Sequence, residues 1–146
     1  EGLLLLKPYF EFTYIITNQQ GLSSGKLSKH ELEFVHLHLR QVFSEVGLKI
    51  NDIFICGDLD HLESYCRKPA IGMIRSAQLA NPSIILEHSL FIGDSQSDMS
   101  CARNTGIVGV SIDERHQEKR PEGDKHFLSM KMMAQEMIAF KENSPP

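Results

Sequence analysis

Short runs of β-branched, aliphatic and aromatic residues alternate with longer stretches whose apolar residues recur every three to four positions, and this alternation constrains the fold more than any other feature. Phe12 to Ile16 is the first such run, and it passes directly into the polar, glycine-containing stretch Thr17 to Gly25. That pattern reads as a buried strand ending in a loop. Ser28, with Glu31 three residues on, forms a capping box; Leu32, Val35, Leu39, Val42, Phe43 and Val46 then follow at helical spacing until Gly47. An amphipathic helix is predicted there. Ile53 to Cys56 predicts a second strand, Gly57 to Pro69 a loop long enough to hold a site, and Ile71 to Ala80 a helix. Leu90 to Ile92 predicts a third strand, Gly93 to Ser97 a turn, and Asp98 to Asn104 a helix closed by Gly106 as a left-handed cap. Ile107 to Ile112 predicts a fourth strand. The run Asp113 to Lys125 is charged and unpatterned, and Met130 to Phe140 returns to helical spacing.

Strands that alternate with helices of this length imply an α/β fold with a doubly wound parallel sheet, whose ligand crevice lies at the C-terminal ends of the strands. All three candidate loops fall at that edge. The 146 residues are 41% hydrophobic, enough for one globular domain over residues 1–141, with 142–146 predicted as a flexible polar tail. A net charge of −4 provides no global basic field, which argues against nucleic acid as the main partner. The aliphatic run Leu3 to Leu6 is far too short for a membrane span or a signal-peptide core, so a cytoplasmic location with no membrane partner is predicted. Cys56, Cys66 and Cys101 form an odd, sparse set, which points to free thiols or a partial metal site rather than a disulfide framework.

Three segments carry the residue types that chemistry needs. Gly93-Asp94-Ser95-Gln96-Ser97-Asp98 sets two carboxylates four residues apart in a strand-to-helix turn, an arrangement suited to Mg²⁺. The plainer reading makes Asp94 a turn residue and Asp98 a first-turn helix residue favoured by the dipole. Thr17-Asn18-Gln19 offers a hydroxyl, an amide and backbone N–H groups, a donor set able to hold a phosphoryl oxygen, though by itself also an ordinary polar loop. Arg67-Lys68-Pro69 places two cations beside a helix start, where a phosphate meets point charge and helix-end donors together.

Taken in order, a Thr-Asn ending one strand, a Lys-Pro before a helix and a Gly-Asp-x-x-x-Asp after a later strand resemble motifs two, three and four of the haloacid dehalogenase superfamily. Thr17-Asn18-Gln19-Gln20-Gly21, Cys66-Arg67-Lys68-Pro69 with Gly72-Met73, and Gly93-Asp94 followed by Ala102 and Gly106 are similar to one subgroup. It comprises the D-glycero-D-manno-heptose 1,7-bisphosphate phosphatases and the histidinol-phosphate phosphatases. The resemblance implies Mg²⁺-dependent hydrolysis of a small phosphorylated metabolite through an aspartyl-phosphate. The heptose bisphosphate is the first substrate it implies and histidinol phosphate the second. Thr17 and Lys68 would bind the transferring phosphoryl group, Asp94 would bind Mg²⁺ and Asp98 would support the metal shell. Lys68 and Asp94 would thus carry the catalysis, with Asn18 and Arg67 facing the substrate. A non-catalytic domain that binds a phosphate ligand or a partner is the alternative from another class.

The sequence departs from the family pattern in three places. The family's reaction starts from an Asp-x-Asp motif on its first strand, yet no Asp precedes Asp52 here. The residues ahead of Phe12 resemble the helix that follows that strand, which by analogy lies between the strands at Phe12 to Ile16 and Leu90 to Ile92. An upstream segment carrying the nucleophile is therefore expected, a degenerate protein being the alternative. Relatives also hold a structural zinc through Cys, His, Cys and Cys, where this chain has Cys56, Asp58, Ser64 and Cys66. A residual zinc site of Cys56, Asp58 and Cys66, with His61 as another candidate ligand, is the lesser reading, because structural zinc takes four nitrogen or sulfur ligands. The other reading makes Cys56 a small buried hydrophobe and Cys66 a remnant. Finally, Ser95 stands where relatives commonly have Lys or Arg. His30, His36 and His38 lie on or beside the first long helix and are assigned no chemistry.

Overall fold

The alternating pattern folds as a parallel α/β assembly in the computed structural model, which describes residues 1–113 and 121–143. A short helix α1 (Gly2–Leu6) leads through a 3-10 turn at Lys7–Tyr9 to β1 (Tyr14–Asn18). Then follow α2 (Lys29–Glu45), β2 (Asp52–Cys56), α3 (Gly72–Ala80), β3 (Leu90–Gly93), α4 (Gln96–Thr105), β4 (Val108–Ile112), β5 (Lys125–Phe127) and α5 (Met130–Asn143). The helix expected ahead of Phe12 is α1.

Every strand pairing among the described residues is parallel, as helical crossovers require. The strands form two sets, β1 beside β2 and β3-β4-β5 in that order. Among the described residues, β1 is laddered to β2 and β3 to β4, and neither is paired to the other. The alternation of β3 shows how both faces of its sheet are covered. Leu90 and Ile92 pack with Leu6, Val110, Ile112, Phe127, Met133 and Ala134, beneath α1 and α5. Phe91, between them, packs with Ile74 of α3 and Met99, Cys101 and Ala102 of α4. Ile16 of β1 also packs against that second cluster, so the two strand sets share a core. Burying each large apolar side chain in these clusters contributes roughly 1.5–3 kcal/mol.

Local signals explain the helix ends. Ser28 caps α2, its hydroxyl accepting from the Glu31 N–H while the Glu31 carboxylate accepts from the Ser28 N–H. Gly106 closes α4 with φ +75°, a conformation that costs a side chain strain.

Several boundaries move. β1 starts and ends two residues beyond the predicted run, so Thr17 and Asn18 lie within the ladder, opposite Ile55 and Cys56, and not in the loop after it. Backbone pairing with β2 extends the strand over residues whose polarity suggested a loop. Helix α4 begins at Gln96 because Ser95, not a residue of a longer turn, is its cap. Helix α5 runs through Asn143, so Glu142 and Asn143 of the expected tail are helical, and 144–146 lie outside the described residues. Most of the unpatterned run at 113–125 likewise lies outside them. In the predicted stripe of α2 Leu32 alone is fully buried, whereas Val35, Val42 and Val46 remain exposed. No helix among the described residues is long and apolar enough to cross a membrane.

Candidate active site

The site is built where β1, the loop after β2 and the N-terminus of α4 meet. Lys68 lies at its centre. The ammonium donates to the main-chain oxygen of Ile16 in β1 at 2.9 Å and pairs with Asp98 Oδ1 of α4 at 2.5 Å. Its position is 5.9 Å from the centroid of the Phe91 ring. The side chains of Lys68 and Asp98 are 11% and 7% exposed, so the pair interacts in a medium far less polarisable than water. A long, flexible lysine becomes a fixed positive charge between β1 and the first turn of α4.

Asp98 is fixed just as firmly. Its Oδ2 accepts from the Ser95 N–H at 3.1 Å and from the Ser95 hydroxyl at 2.7 Å, while the Asp98 N–H donates to Ser95 Oγ at 3.2 Å. This is a complete capping box, with the carboxylate also placed in the first turn of α4. Gly93 makes room for it, since a Cβ at that position would lie 2.4 Å from the Cβ of Asp98. The sequence reading treated Ser95 as a lost cation; its structural part is to orient Asp98. The Ser-x-x-Asp spacing could have revealed that.

The loop that presents Lys68 is tied down along its length. Asn18 Oδ1 accepts from the Lys68 N–H at 3.0 Å, and Asn18 Nδ2 donates to the Lys68 carbonyl at 3.2 Å. The Arg67 guanidinium donates to the Asp58 carbonyl at 3.1 Å, and the Arg67 main-chain N–H donates to Ser64 Oγ at 3.0 Å. Thr17, between Ile16 and Asn18, accepts from Gln19 Nε2 at 3.0 Å. Asp94 follows β3 directly, one residue ahead of the Ser95 cap.

Cys56 and Cys66 form a disulfide across the start and end of this loop, with Cα atoms 5.5 Å apart. The expectation of free thiols therefore fails for this pair and holds for buried Cys101. Its cause lies in the fold: the end of β2 and the turn before Arg67 are brought side by side, which cysteine spacing does not report. Asp58 Oδ2 lies 3.5 Å from Cys66 Sγ and accepts from Ser64 Oγ at 2.6 Å. Although Cys56, Asp58 and Cys66 place their ligand atoms within 4.8 Å of one another, sulfurs bonded to each other are not thiolates. Asp58 alone of the three is then a ligand, while His61 is exposed and faces Asp60. With the two sulfurs bonded to each other the set does not fit structural zinc, which takes four nitrogen or sulfur ligands.

Known proteins resemble this chain in sequence and in fold. A family model described as HAD-hydrolase-like matches residues 65–124. A D-glycero-alpha-D-manno-heptose-1,7-bisphosphate 7-phosphatase of Campylobacter jejuni is 30% identical over 146 residues, covering 97% of this chain and 81% of the relative. The chain belongs to the haloacid dehalogenase-like family. A histidine biosynthesis bifunctional protein of Blochmanniella floridana is 36% identical over 124 residues, covering 77% of this chain. The matched region spans 34% of that bifunctional relative's length. In fold, this haloacid dehalogenase-like chain is similar to the D,D-heptose 1,7-bisphosphate phosphatase of B. bronchiseptica, solved with magnesium and phosphate. The TM-score is 0.80 at 22% identity, covering 94% of this chain and 80% of that one.

Within this haloacid dehalogenase-like fold the donor set fits magnesium at one position. Asp94 offers a carboxylate where β3 ends, and Mg²⁺ characteristically takes one or two protein carboxylates, with waters and phosphate oxygens completing its shell. Asp98 has one oxygen on Ser95 and the other on Lys68.

Proposed function

We propose that the protein containing this chain is a Mg²⁺-dependent phosphomonoester hydrolase of small phosphorylated metabolites. A D-glycero-D-manno-heptose 1,7-bisphosphate is the first substrate and histidinol phosphate the second. The observation that carries the reading is the Lys68 ammonium, fixed between Ile16 O of β1 and Asp98 in the first turn of α4. The heptose bisphosphate phosphatases among the similar proteins support the class and the first substrate, and the histidine biosynthesis proteins support the second.

Phosphoryl transfer makes its chief demand on positioning and charge stabilisation. Lys68 would meet the phosphoryl oxygens with a charge already desolvated and held in place, so little reorganisation accompanies the reaction. The Thr17 hydroxyl, in the strand that holds Lys68, would supply a second donor. Asp94 would hold Mg²⁺, which when bound offsets charge on the phosphoryl oxygens. No Asp precedes Asp52 in this chain, so the residues described carry the binding and charge-stabilising half of the chemistry.

The test is release of inorganic phosphate by the full-length protein from each of the two substrates, with Mg²⁺ and then with a chelator. Asp94→Ala should abolish Mg²⁺-dependent turnover, and Lys68→Met should lower it by about 10²–10³-fold. Saturable binding of the sugar phosphate with no phosphate released would refute hydrolysis and leave a ligand-binding domain.

A further inference from the structure

Asn18 is engaged in an unusual way. Its carboxamide grips both the N–H and the carbonyl of a residue 50 positions away, and that residue is Lys68. The orientation of the amide is dictated by these partners, because a main-chain N–H can only donate and a main-chain carbonyl can only accept. Oδ1 must face Lys68 N and Nδ2 must face Lys68 O. The side chain therefore imitates a peptide group, and Lys68 is laddered to the end of β1 as though it belonged to a neighbouring strand. The Lys68 side chain then returns to the same strand, two residues upstream, through Ile16 O.

We propose that Asn18 is a positioning residue: its carboxamide clamps the Lys68 main chain, and it acts on the phosphoryl group through the lysine rather than by touching the substrate. A lysine is a point charge on a four-carbon stem with many rotamers, so its value depends on where its backbone is held. Fixing N, O and Nζ of one residue against one strand removes that freedom before a ligand arrives, which is preorganisation in its simplest form. The kinetic part of this inference rests on the hydrolase reading; the structural part does not.

The experiment uses Asn18→Ala and Asn18→Asp in the full-length protein. Aspartate keeps the shape and the acceptor for Lys68 N–H, but it loses the donor and sets a carboxylate against the Lys68 carbonyl. Both variants are assayed on the heptose bisphosphate and on p-nitrophenyl phosphate, which has no sugar. The clamp predicts that kcat falls about 10- to 100-fold on both substrates by the same factor, with KM little changed. A loss confined to the sugar substrate would make Asn18 a substrate contact and overturn the proposal. In a Lys68→Met background, Asn18→Ala should change the residual kcat by less than about twofold, whereas an undiminished loss would show that Asn18 acts independently of the lysine. Hydrogen exchange at the Lys68 amide gives a reading that needs no activity: faster exchange in Asn18→Ala and retained protection in Asn18→Asp support the clamp. Unchanged exchange in Asn18→Ala overturns it. Should the wild-type protein hydrolyse neither substrate, the hydrolase reading falls and the exchange result still decides the clamp.

Discussion

Asp98 holds Ser95 with one carboxylate oxygen and Lys68 with the other. A single side chain thus ends a helix and orients the one ammonium on which the site is centred. The two tasks are separable by substitution. Asp98→Asn keeps an acceptor for the cap and removes the charge; Asp98→Ala removes both and leaves a buried ammonium uncompensated. The alanine variant should destabilise the protein by about 3–5 kcal/mol, and the asparagine variant by less. Urea unfolding measures both, and a loss below about 1 kcal/mol for the alanine variant would contradict a buried pair.

Gly93→Ala tests the close approach that admits Asp98. The added methyl would enter space held by the Asp98 side chain, so the backbone of β3 or the head of α4 must shift, at a cost of about 1–3 kcal/mol. Gly106→Ala is the natural comparison, because open space surrounds that position and only the positive φ is penalised, by about 1 kcal/mol. The expected order of melting temperatures is wild type, then Gly106→Ala, then Gly93→Ala. Equal melting for wild type and Gly93→Ala would contradict the packing.

Thiol counting tests the disulfide and the burial of Cys101 together. Under non-reducing conditions the native protein should show no reactive thiol, and denaturation should expose the one free cysteine. Reduction before denaturation should expose all three cysteines of the sequence. Burial pushes the Cys101 thiol up to about 11, with nearby Lys68 opposing the rise and Asp98 adding to it. Because the folded value is raised, this group's contribution to stability is full below the unfolded value of 9.0 and is lost as pH rises through about 11. A chemical-denaturation series from pH 8 to pH 11.5, compared between wild type and Cys101→Ala, should show the wild type losing more. Parallel curves would count against a buried neutral thiol.

The capping box of α2 gives the opposite sign. Hydrogen bonds from the Ser28 hydroxyl and main chain hold the Glu31 carboxyl below its ordinary value of 4.5. A lowered folded value means the contribution is present above 4.5 and disappears as pH falls through the folded value. Ser28→Ala should lower the urea midpoint at neutral pH, and the gap from wild type should narrow below pH 4.5. A gap independent of pH would show that the carboxylate takes no part in the cap.

The parallel α/β class and the order of elements were legible because hydrophobic periodicity and Gly106 punctuate the chain locally. The candidate site was legible as residue types but less so as partners. Thr17 and Asn18 read as loop because they are polar, and their strand geometry depends on pairing with Ile55 and Cys56 more than 35 positions away. Ser95 carried a visible cap signal that the comparison with relatives overshadowed. The grip of Asn18 on Lys68 and the bond between Cys56 and Cys66 are juxtapositions made by the fold, so no local pattern announces them. The apolar stripe of α2 was legible too, although the described residues bury little of it. A moment in the sequence specifies a face and does not by itself specify what covers it.

One consequence follows from the valence of the Lys68 nitrogen. A protonated lysine has three hydrogens to offer; here Ile16 O takes one, and Asp98 Oδ1 pairs with the charge. Ile16 belongs to one strand set and Asp98 to the helix that follows β3 of the other, so the hydrogen bond and the ion pair stitch the halves together. Among the described residues Ile16 O is the one hydrogen-bond acceptor of that ammonium, so hydrogen remains for an incoming oxygen. An anion can therefore be received without either stitch being cut, and cohesion and recognition need not compete for the same proton.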